Sequence, residues 1–267
     1  MNRITATFSR LRANSQKAFV AYIAAGDPSL AETDNIVSIL EACGVDILEL
    51  GLPFSDPLAD GIVNQMAAGR ALEAGATTAG VLEMIRRIRK TSELPLVLFT
   101  YLNPVYAYGF EKFHADAAAA GADGILLLDL PPDEAALNGE MSATAGLQRI
   151  VLIAPTTPPD RMRSLAENAE GFIYYISREG VTGAQTSLAD NIASQVAEIK
   201  SGGAQAPVCV GFGISTPEQA RAVAMAADGV IVGSAIVRII AEHGGSPALE
   251  ERLGSFVRPL VEAVKSV

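Results

Sequence analysis

The sequence is poor in the residues that build disulfide frameworks and metal centres. It has two cysteines, Cys43 and Cys209, and two histidines, His114 and His243, among 267 residues. Two such distant cysteines give neither a disulfide framework nor a metal-ligand spacing, and we expect both to fill the core. Both histidines fall in or beside helical patterns, so we expect them at the surface. Two histidines cannot build a histidine-rich metal centre.

Basic residues and long apolar runs are also scarce. There are 20 lysines and arginines against 30 acidic residues, a formal charge of −10, which disfavours binding to nucleic acid or to an anionic membrane surface. No apolar run approaches the roughly 18 residues that a membrane-spanning helix needs. The first twelve residues are typical of a short amphipathic helix rather than a signal peptide. We therefore expect a soluble, cytoplasmic protein.

Eight short runs rich in valine, isoleucine and leucine alternate with longer helical patterns. Each run is nearly continuous in its hydrophobicity and is bounded by glycine, proline or aspartate, which is typical of parallel strands buried on both faces. The predicted strands cover residues 19–24, 47–51, 96–101, 124–129, 150–154, 172–177, 208–211 and 230–233.

This alternation predicts an α/β fold. Eight strand–helix units in this length favour a (β/α)8 TIM barrel, formed as a single domain by residues 1–267. We expect an extra N-terminal helix and an extra helix before the last barrel helix. Two helices, over 62–74 and 79–90, are predicted between the second and third strands. A doubly wound open sheet is the alternative.

Barrel enzymes place their active groups at the carboxyl ends of the strands. Glu49 lies inside the apolar second strand, at an alternating position that faces the barrel interior, where a carboxylate is costly unless it is paired or functional. The alternative is an outward carboxylate bonded to a backbone group. The stiff loop that follows, 52–61, carries Asp56 and Asp60. Asp60 is a candidate catalytic group, or else a turn former or helix cap.

Two glycine clusters at the last strands predict a phosphate site. Gly211 ends the seventh predicted strand and Gly213 follows it, and Gly233 ends the eighth and Ser234 follows it. Barrels often bind phosphate at this place, at the amino end of a short helix. The glycine-bearing loop 177–184 resembles a mobile lid over a phosphorylated substrate, although an ordinary flexible connection would look similar.

The positions of the lysines narrow the reaction. Lys17 precedes the first strand, and the other four, Lys90, Lys112, Lys200 and Lys265, fall in helical patterns, so a Schiff-base aldolase is disfavoured. No dinucleotide fingerprint follows the first strand. Carboxylate acid–base chemistry on a phosphorylated, apolar substrate remains.

Residues 46–61, which read Asp-Ile-Leu-Glu-Leu-Gly-Leu-Pro-Phe-Ser-Asp-Pro-Leu-Ala-Asp-Gly, resemble the characteristic segment of the tryptophan synthase alpha chain family. The resemblance continues in order along almost the whole chain, at residues 25–28, 101–104, 129–131, 177–183 and 211–215.

The resemblance implies a carbon–carbon lyase that cleaves indole-3-glycerol phosphate to indole and glyceraldehyde 3-phosphate by a retro-aldol reaction. It implies that Glu49 is the acid–base residue and that Asp60 holds the indole N–H. It adds Gly183 to the phosphate site, and it puts Thr182 beside Asp60 in a lid that also contains Arg178. The implied indole pocket consists of Tyr22, Phe99, Tyr101, Ile153, Tyr174 and Phe212.

The resemblance also implies a partner. Family members pass indole to a beta chain, in an alpha2beta2 heterotetramer, and Asp56, Asn103, Pro104 and Pro131 would lie near that interface. No cofactor is expected in this chain, because pyridoxal phosphate belongs to the beta chain. The alternatives are a stand-alone lyase that releases free indole and a non-catalytic activator of a beta chain.

Overall fold

The computed structural model describes residues 1–131, 134–177, 185–211 and 213–267, and for 185–191 it describes the backbone alone. Within these ranges nine strands form one sheet in which every pairing is parallel. The strands are β1 (Ala18–Ala24), β2 (Ile47–Gly51), β3 (Leu96–Thr100), β4 (Gly124–Leu127), β5 (Gln148–Arg149), β6 (Val151–Ile153), β7 (Ile173–Ile176), β8 (Val208–Gly211) and β9 (Gly229–Val232).

The sheet has the order β5-β4-β3-β2-β1-β9-β8-β7-β6. Because β1 pairs with both β2 and β9, the first and last strands meet, and the sheet curls into a TIM barrel, as the sequence predicted. The open-sheet alternative is wrong. The predicted fifth strand, 150–154, corresponds to β6, and the short strand β5 precedes it. Ile150 separates the two, and its N–H bonds to the carbonyl oxygen of Ile125 at 3.0 Å.

The described ranges contain twelve helices. They are α1 (Arg3–Ala13), α2 (Leu30–Ala42), α3 (Ile62–Glu73), α4 (Thr78–Ile88), α5 (Leu102–Tyr108), α6 (Phe110–Ala120), α7 (Ala135–Ala145), α8 (Pro159–Glu167), α9 (Gln185–Ser201), α10 (Pro217–Ala226), α11 (Ser234–His243) and α12 (Leu249–Lys265). The extra helices α1 and α11 and the pair α3 and α4 were predicted. Every helix in these ranges is too short or too polar to span a bilayer.

Helix α5 was missed by the sequence argument. Its first residue, Leu102, donates its N–H to Asp129 Oδ1 at 2.7 Å, and Asp129 lies on the loop after β4. The residue before the helix, Tyr101, makes no side-chain cap. A cap supplied from a distant loop leaves no local signal, so the start of this helix could not be predicted from its own residues.

The core has two main layers that follow the alternation of the strands. Outward residues such as Leu48 and Leu50 pack between the sheet and the helices. Inward residues form an inner cluster, and α1 covers this cluster at the amino ends of the strands. This inner cluster consists of Ile4, Phe8, Leu11, Ala18, Val20, Ile47, Val97, Leu126, Ile150, Phe172, Cys209 and Ile231. Since Ile47 is inward and Leu48 outward, Glu49 points into the barrel.

The two cysteines are buried as predicted, whereas the expectation for His114 was wrong. His114 is buried between α6 and α7, with Nδ1 at 2.8 Å from the carbonyl oxygen of Phe110 and Nε2 at 2.9 Å from Asn138 Oδ1. Both ring nitrogens therefore have polar partners, which makes burial of the imidazole tolerable. His243, at the end of α11, is partly exposed.

Three aspartates anchor the amino ends of the strands by the same contact. Each directly precedes a strand, and its carboxylate accepts the backbone N–H that begins a neighbouring strand or lies near its start, in every case at 2.9 Å. The pairs are Asp46 with Phe19, Asp123 with Leu96, and Asp228 with Val208. Asp123 also binds Arg3 and Arg89. Arg3 belongs to α1, so this contact ties the bottom helix to the barrel.

We expect Asp123→Ala to lower the free energy of unfolding by about 3 kcal/mol or more, because it leaves the Arg89 guanidinium, which is only 10% exposed, without its carboxylate partner. Asp160→Ala is the matched control, since Asp160 is 93% exposed and pairs with Arg163 on the same helix. That variant should lose less than about 0.5 kcal/mol. Urea denaturation of both variants is the measurement, and equal losses would contradict the anchoring role of Asp123.

Candidate functional site at the carboxyl ends of the strands

Glu49 is a completely buried carboxyl group in the barrel interior. Its neighbours across the sheet are Tyr22 on β1 and Val97 on β3. Neither of its oxygens has a hydrogen-bond partner among the described residues, so the alternative of an outward carboxylate bonded to the backbone does not hold. Desolvation raises the pKa of Glu49 to about 8. At neutral pH the side chain is therefore mainly a protonated acid.

Asp60 has a different environment at the end of the loop after β2. Tyr101 donates its hydroxyl to Asp60 Oδ2 at 2.8 Å, and that hydroxyl accepts the N–H of Ala59 at 3.0 Å. Burial raises the pKa of Asp60, and hydrogen bonds from Tyr101 and Asn64 oppose the rise. The geometry does not support the helix-cap alternative, because the capping position of α3 is Gly61, which makes no side-chain cap.

Three aromatic rings line the space above the barrel interior. Tyr22 and Phe99 have ring centroids 5.0 Å apart in an edge-to-face contact, and Phe99 and Tyr174 lie 6.5 Å apart. Burial raises the pKa of both tyrosines, and the negative charges that Glu49 and Asp60 carry once they are ionised raise it further. Both phenols are therefore neutral.

Glycine makes room for these rings. A Cβ atom at Gly51 would lie 2.3 Å from the Tyr22 hydroxyl oxygen, and one at Gly211 would lie 2.9 Å from that of Tyr174. Any side chain at Gly51 would displace the Tyr22 ring. Gly211 makes room for the Tyr174 ring, and its place in the phosphate site stays a prediction.

A cavity of about 360 Å³ joins the aromatic rings to the glycine clusters. Of the predicted residues it is lined by Tyr22, Phe99, Tyr174, Gly213, Gly233 and Ser234. The sequence argument missed four lining residues from α3 and α11, namely Ile62, Val63, Asn64 and Arg238. A larger opening beside α12, of about 480 Å³, contains none of the predicted site residues.

The amino end of α11 faces this cavity. Gly233 provides no side-chain cap, and its carbonyl oxygen accepts the N–H groups of Ile236 and Val237. The N–H groups of Ser234 and Ala235 belong to the first turn and have no acceptor within the helix. An uncapped helix start of this kind favours an anion.

An ion pair fixes α3 above β1. Arg70 donates from Nε and Nη2 to the two carboxylate oxygens of Asp27, at 2.9 and 2.7 Å, and Asp27 is buried. The backbone of Gly26, in the left-handed region at φ 95°, lies directly against Ala71 of the same helix. This fork-to-fork contact holds the helix that begins after Asp60.

The other predicted pocket residues differ in whether the structure brings them to the site. Tyr101 joins the site through Asp60. Ile153 lies in the outer core layer, where it pairs in register with Tyr175, and Leu152 takes the inward position on β6. Ile153 is therefore apart from the cavity. The predictions for Gly183, Arg178, Thr182 and Phe212 lie outside the described residues.

The predicted interface segments are joined by hydrogen bonds. The loop that contains Asp56 is tied to Tyr101 through Ala59, and Leu102 is tied to Asp129. Asp56, Asn103 and Pro131 are exposed, but Pro104 is buried inside this chain. The assignment of Pro104 to the interface is corrected for its side chain, because α5 packs it inward.

Exposed apolar side chains adjoin the same loop. Leu58 is 91% exposed, Ile62 68% and Met66 58%.

Among the described residues, no three histidine, cysteine, aspartate or glutamate side chains lie close enough together to hold a metal ion.

The barrel, with polar groups and a cavity at the carboxyl ends of its strands, defines an enzyme of the (β/α)8 class. The sequence profile of the tryptophan synthase alpha chain family matches residues 8–265. The chain belongs to this family, as the resemblance implied.

Individual relatives agree with this assignment. The tryptophan synthase alpha chain of Citrifermentans bemidjiense is 47% identical over 264 residues, which cover 99% of this chain and 98% of the relative. The alpha chain of Opitutus terrae is 49% identical over 269 residues, covering 99% of this chain and all of the relative. The crystal structure of tryptophan synthase subunit alpha from Legionella pneumophila superposes with a TM-score of 0.91 at 39% identity and covers 100% of both chains.

We expect Glu49→Gln to change the pH dependence of stability. A group whose pKa rises on folding binds more protons in the native state, so it makes stability fall as pH rises from the unfolded value of 4.5 to the folded value of about 8. Glutamine is neutral throughout. The stability of the variant relative to the parent should therefore grow across this window and then stay constant. Urea denaturation at a series of pH values measures it, and a difference independent of pH would refute the raised pKa.

Proposed function

We propose that this chain cleaves indole-3-glycerol phosphate to indole and glyceraldehyde 3-phosphate, acting as the alpha subunit of a tryptophan synthase. The observation that carries the proposal is a buried Glu49 without a hydrogen-bond partner among the described residues, in register with Tyr22, which lines an aromatic cavity that ends at an uncapped helix start. The cavity combines apolar walls for an indole ring with donors for a phosphate group. We propose that the whole chain acts as one barrel domain, in the cytoplasm.

The first step is proton transfer from Glu49 to C3 of the indole ring. The ring supplies the electron pair for the new C–H bond, and the resulting cation carries its positive charge at the ring nitrogen. Asp60, whose charged form the Tyr101 hydroxyl stabilises, accepts a hydrogen bond from the ring N–H and stabilises that charge. The substrate therefore serves as its own electron sink, and no lysine is needed.

The second step returns the proton. Glu49, now a carboxylate, takes the proton of the hydroxyl on the carbon attached to C3. The C–C bond breaks, its electrons restore the neutral indole, and the hydroxyl oxygen becomes the aldehyde oxygen of glyceraldehyde 3-phosphate. Glu49 is again protonated at the end of the cycle. A resting pKa of about 8 suits this order of events, because the acid form must be present first.

The phosphate group is proposed to lie at Gly213, Gly233 and the amino end of α11, with Ser234 donating its hydroxyl. Gly213 has a φ of 67°, a left-handed conformation that favours glycine. Gly183 of the lid would complete the site.

A beta chain is the proposed partner, in an alpha2beta2 tetramer. The exposed Leu58, Ile62 and Met66 lie next to Asp56, and apolar side chains grouped in this way mark interaction surfaces. This surface favours a subunit over a stand-alone lyase, and the intact carboxylate pair favours an active subunit over a non-catalytic activator. Related tryptophan synthase from Mycobacterium tuberculosis, solved in an aminoacrylate-bound form, matches at 32% identity with a TM-score of 0.86 over 99% of this chain and 100% of that one.

Pyridoxal phosphate would belong to the beta partner. Four lysines form ion pairs or hydrogen bonds away from the cavity: Lys112 with Asp116, Lys200 with Asp228, Lys265 with Asp46, and Lys17 with the carbonyl oxygen of Ala227. No cofactor is proposed for this chain.

We expect Glu49→Gln to lower kcat for indole-3-glycerol phosphate about 10²- to 10⁴-fold, the usual contribution of a positioned proton-transfer group. Binding should persist, because glutamine keeps the shape of the side chain. In the parent, kcat/KM should fall as pH rises above about 8, since the acid form of the free enzyme is then lost. Indole release measured by stopped assay tests both statements.

Glu167→Gln, which alters an exposed glutamate at the end of α8, is the control and should match the parent. Normal turnover by Glu49→Gln would contradict the mechanism. A parent chain that releases no indole, alone or with a beta chain and serine, would contradict the function itself.

We expect Leu58→Asp to weaken association with a beta chain by more than about tenfold, because it puts a charge into the core of the proposed interface. Met225→Asp is the matched control, since Met225 is 67% exposed on α10. Titration calorimetry with a purified beta chain gives both affinities. Equal affinities of the two variants would place the interface elsewhere.

A further inference from the structure

Helix α11 places a cationic side chain at the cavity, and the phosphate site proposed above does not include it. Arg238 lines the cavity, and it is the one charged side chain among the cavity's described lining residues. It is exposed, and its side chain makes no ion pair or hydrogen bond with the described part of the chain. By contrast, eight other arginines are paired with carboxylates: Arg3, Arg10, Arg70, Arg86, Arg87, Arg89, Arg149 and Arg163.

The position of Arg238 on the helix directs it toward the anion site. Ser234 and Arg238 are four residues apart, so their side chains lie on the same face of α11. Helical side chains lean toward the amino end of their helix. The guanidinium group therefore reaches back over the first turn, where Ser234 and Ala235 present their free N–H groups.

The charge balance of the molecule makes such a cation useful. The chain has a formal charge of −10, and the site itself contains Asp60. A phosphate monoester is nearly a dianion at neutral pH, so it must enter against an unfavourable potential. The helix start and Ser234 offer hydrogen bonds but no full positive charge, whereas a guanidinium supplies both the charge and a fork of donors that fits phosphate oxygens.

We propose that Arg238 is a specificity-determining residue that selects a doubly charged phosphate group at this end of the cavity. The inference rests on the proposed function for the identity of the substrate. It assigns to Arg238 the recognition of charge, and to Gly233, Ser234 and the start of α11 the recognition of shape. Arg238 acts on binding and stays remote from the reacting carbon atoms.

The test compares Arg238→Gln with Arg252→Gln. Arg252 is exposed on α12, its side chain makes no hydrogen bond or ion pair with the described residues, and it does not line the cavity. The two variants therefore change the net charge equally. The probe is glycerol 3-phosphate, and its Kd is measured by titration calorimetry at salt concentrations from about 20 to about 300 mM, over which screening strengthens.

We expect Arg238→Gln to weaken the binding of glycerol 3-phosphate about tenfold at low salt, which is the effect of losing one charge-assisted hydrogen bond. The Kd of this variant should also depend less on salt concentration. Arg238→Lys should recover part of the affinity and the salt dependence, because it keeps the charge but loses the fork. Arg252→Gln should stay within about twofold of the parent. With indole-3-glycerol phosphate, the effect of Arg238→Gln should appear mainly in KM.

The proposal is overturned if Arg238→Gln and Arg252→Gln bind glycerol 3-phosphate equally and with the same salt dependence. Circular dichroism verifies that both variants are folded, and Arg238→Lys provides a second reading. A parent that binds the probe through Arg238 yet fails to cleave indole-3-glycerol phosphate would contradict the proposed function and leave the role of Arg238 standing. A parent that cleaves indole-3-glycerol phosphate but binds the probe independently of Arg238 would contradict the role of Arg238 and leave the proposed function standing.

Discussion

The burial of an unpaired carboxyl group inside the barrel is the constraint on which the site depends. Water is excluded around Glu49 by the inner cluster below it and by the aromatic rings of Tyr22, Phe99 and Tyr174 above it. An ionised carboxylate in that position would be too costly, so the side chain keeps its proton. The same desolvation that makes the residue expensive makes it an acid at neutral pH.

A second carboxyl group in a different setting gives the pair its chemical contrast. Asp60 is only partly buried and receives a hydroxyl donor from Tyr101, which favours its charged form. Two carboxyl groups with divergent environments can hold opposite protonation states at one pH. This difference depends on α3, which the pair between Arg70 and Asp27 holds in place, and on the loop that Tyr101 fastens through Ala59.

The two ends of the barrel have different roles: residues at the amino ends of the strands stabilise the fold, and residues at the carboxyl ends form the candidate site. At the amino ends of the strands, Asp46, Asp123 and Asp228 are satisfied by backbone N–H groups and by cations. At the carboxyl ends, both oxygens of Glu49 have no hydrogen-bond partner among the described residues, and the first N–H groups of α11 have no acceptor within their helix and no side-chain cap. Groups without partners are costly in the free protein, and they are the ones available to a substrate.

The sequence by itself determined the barrel and the inward direction of Glu49, because strand alternation and hydrophobic runs are local patterns of period two. It also located the glycines beside α11. Only the tertiary structure decided contacts between distant segments. The burial of His114 depends on Asn138, the start of α5 depends on Asp129, and the inward side of β6 depends on a register that turns Leu152 in and Ile153 out. Such pairings join residues far apart along the chain, so no local pattern encodes them.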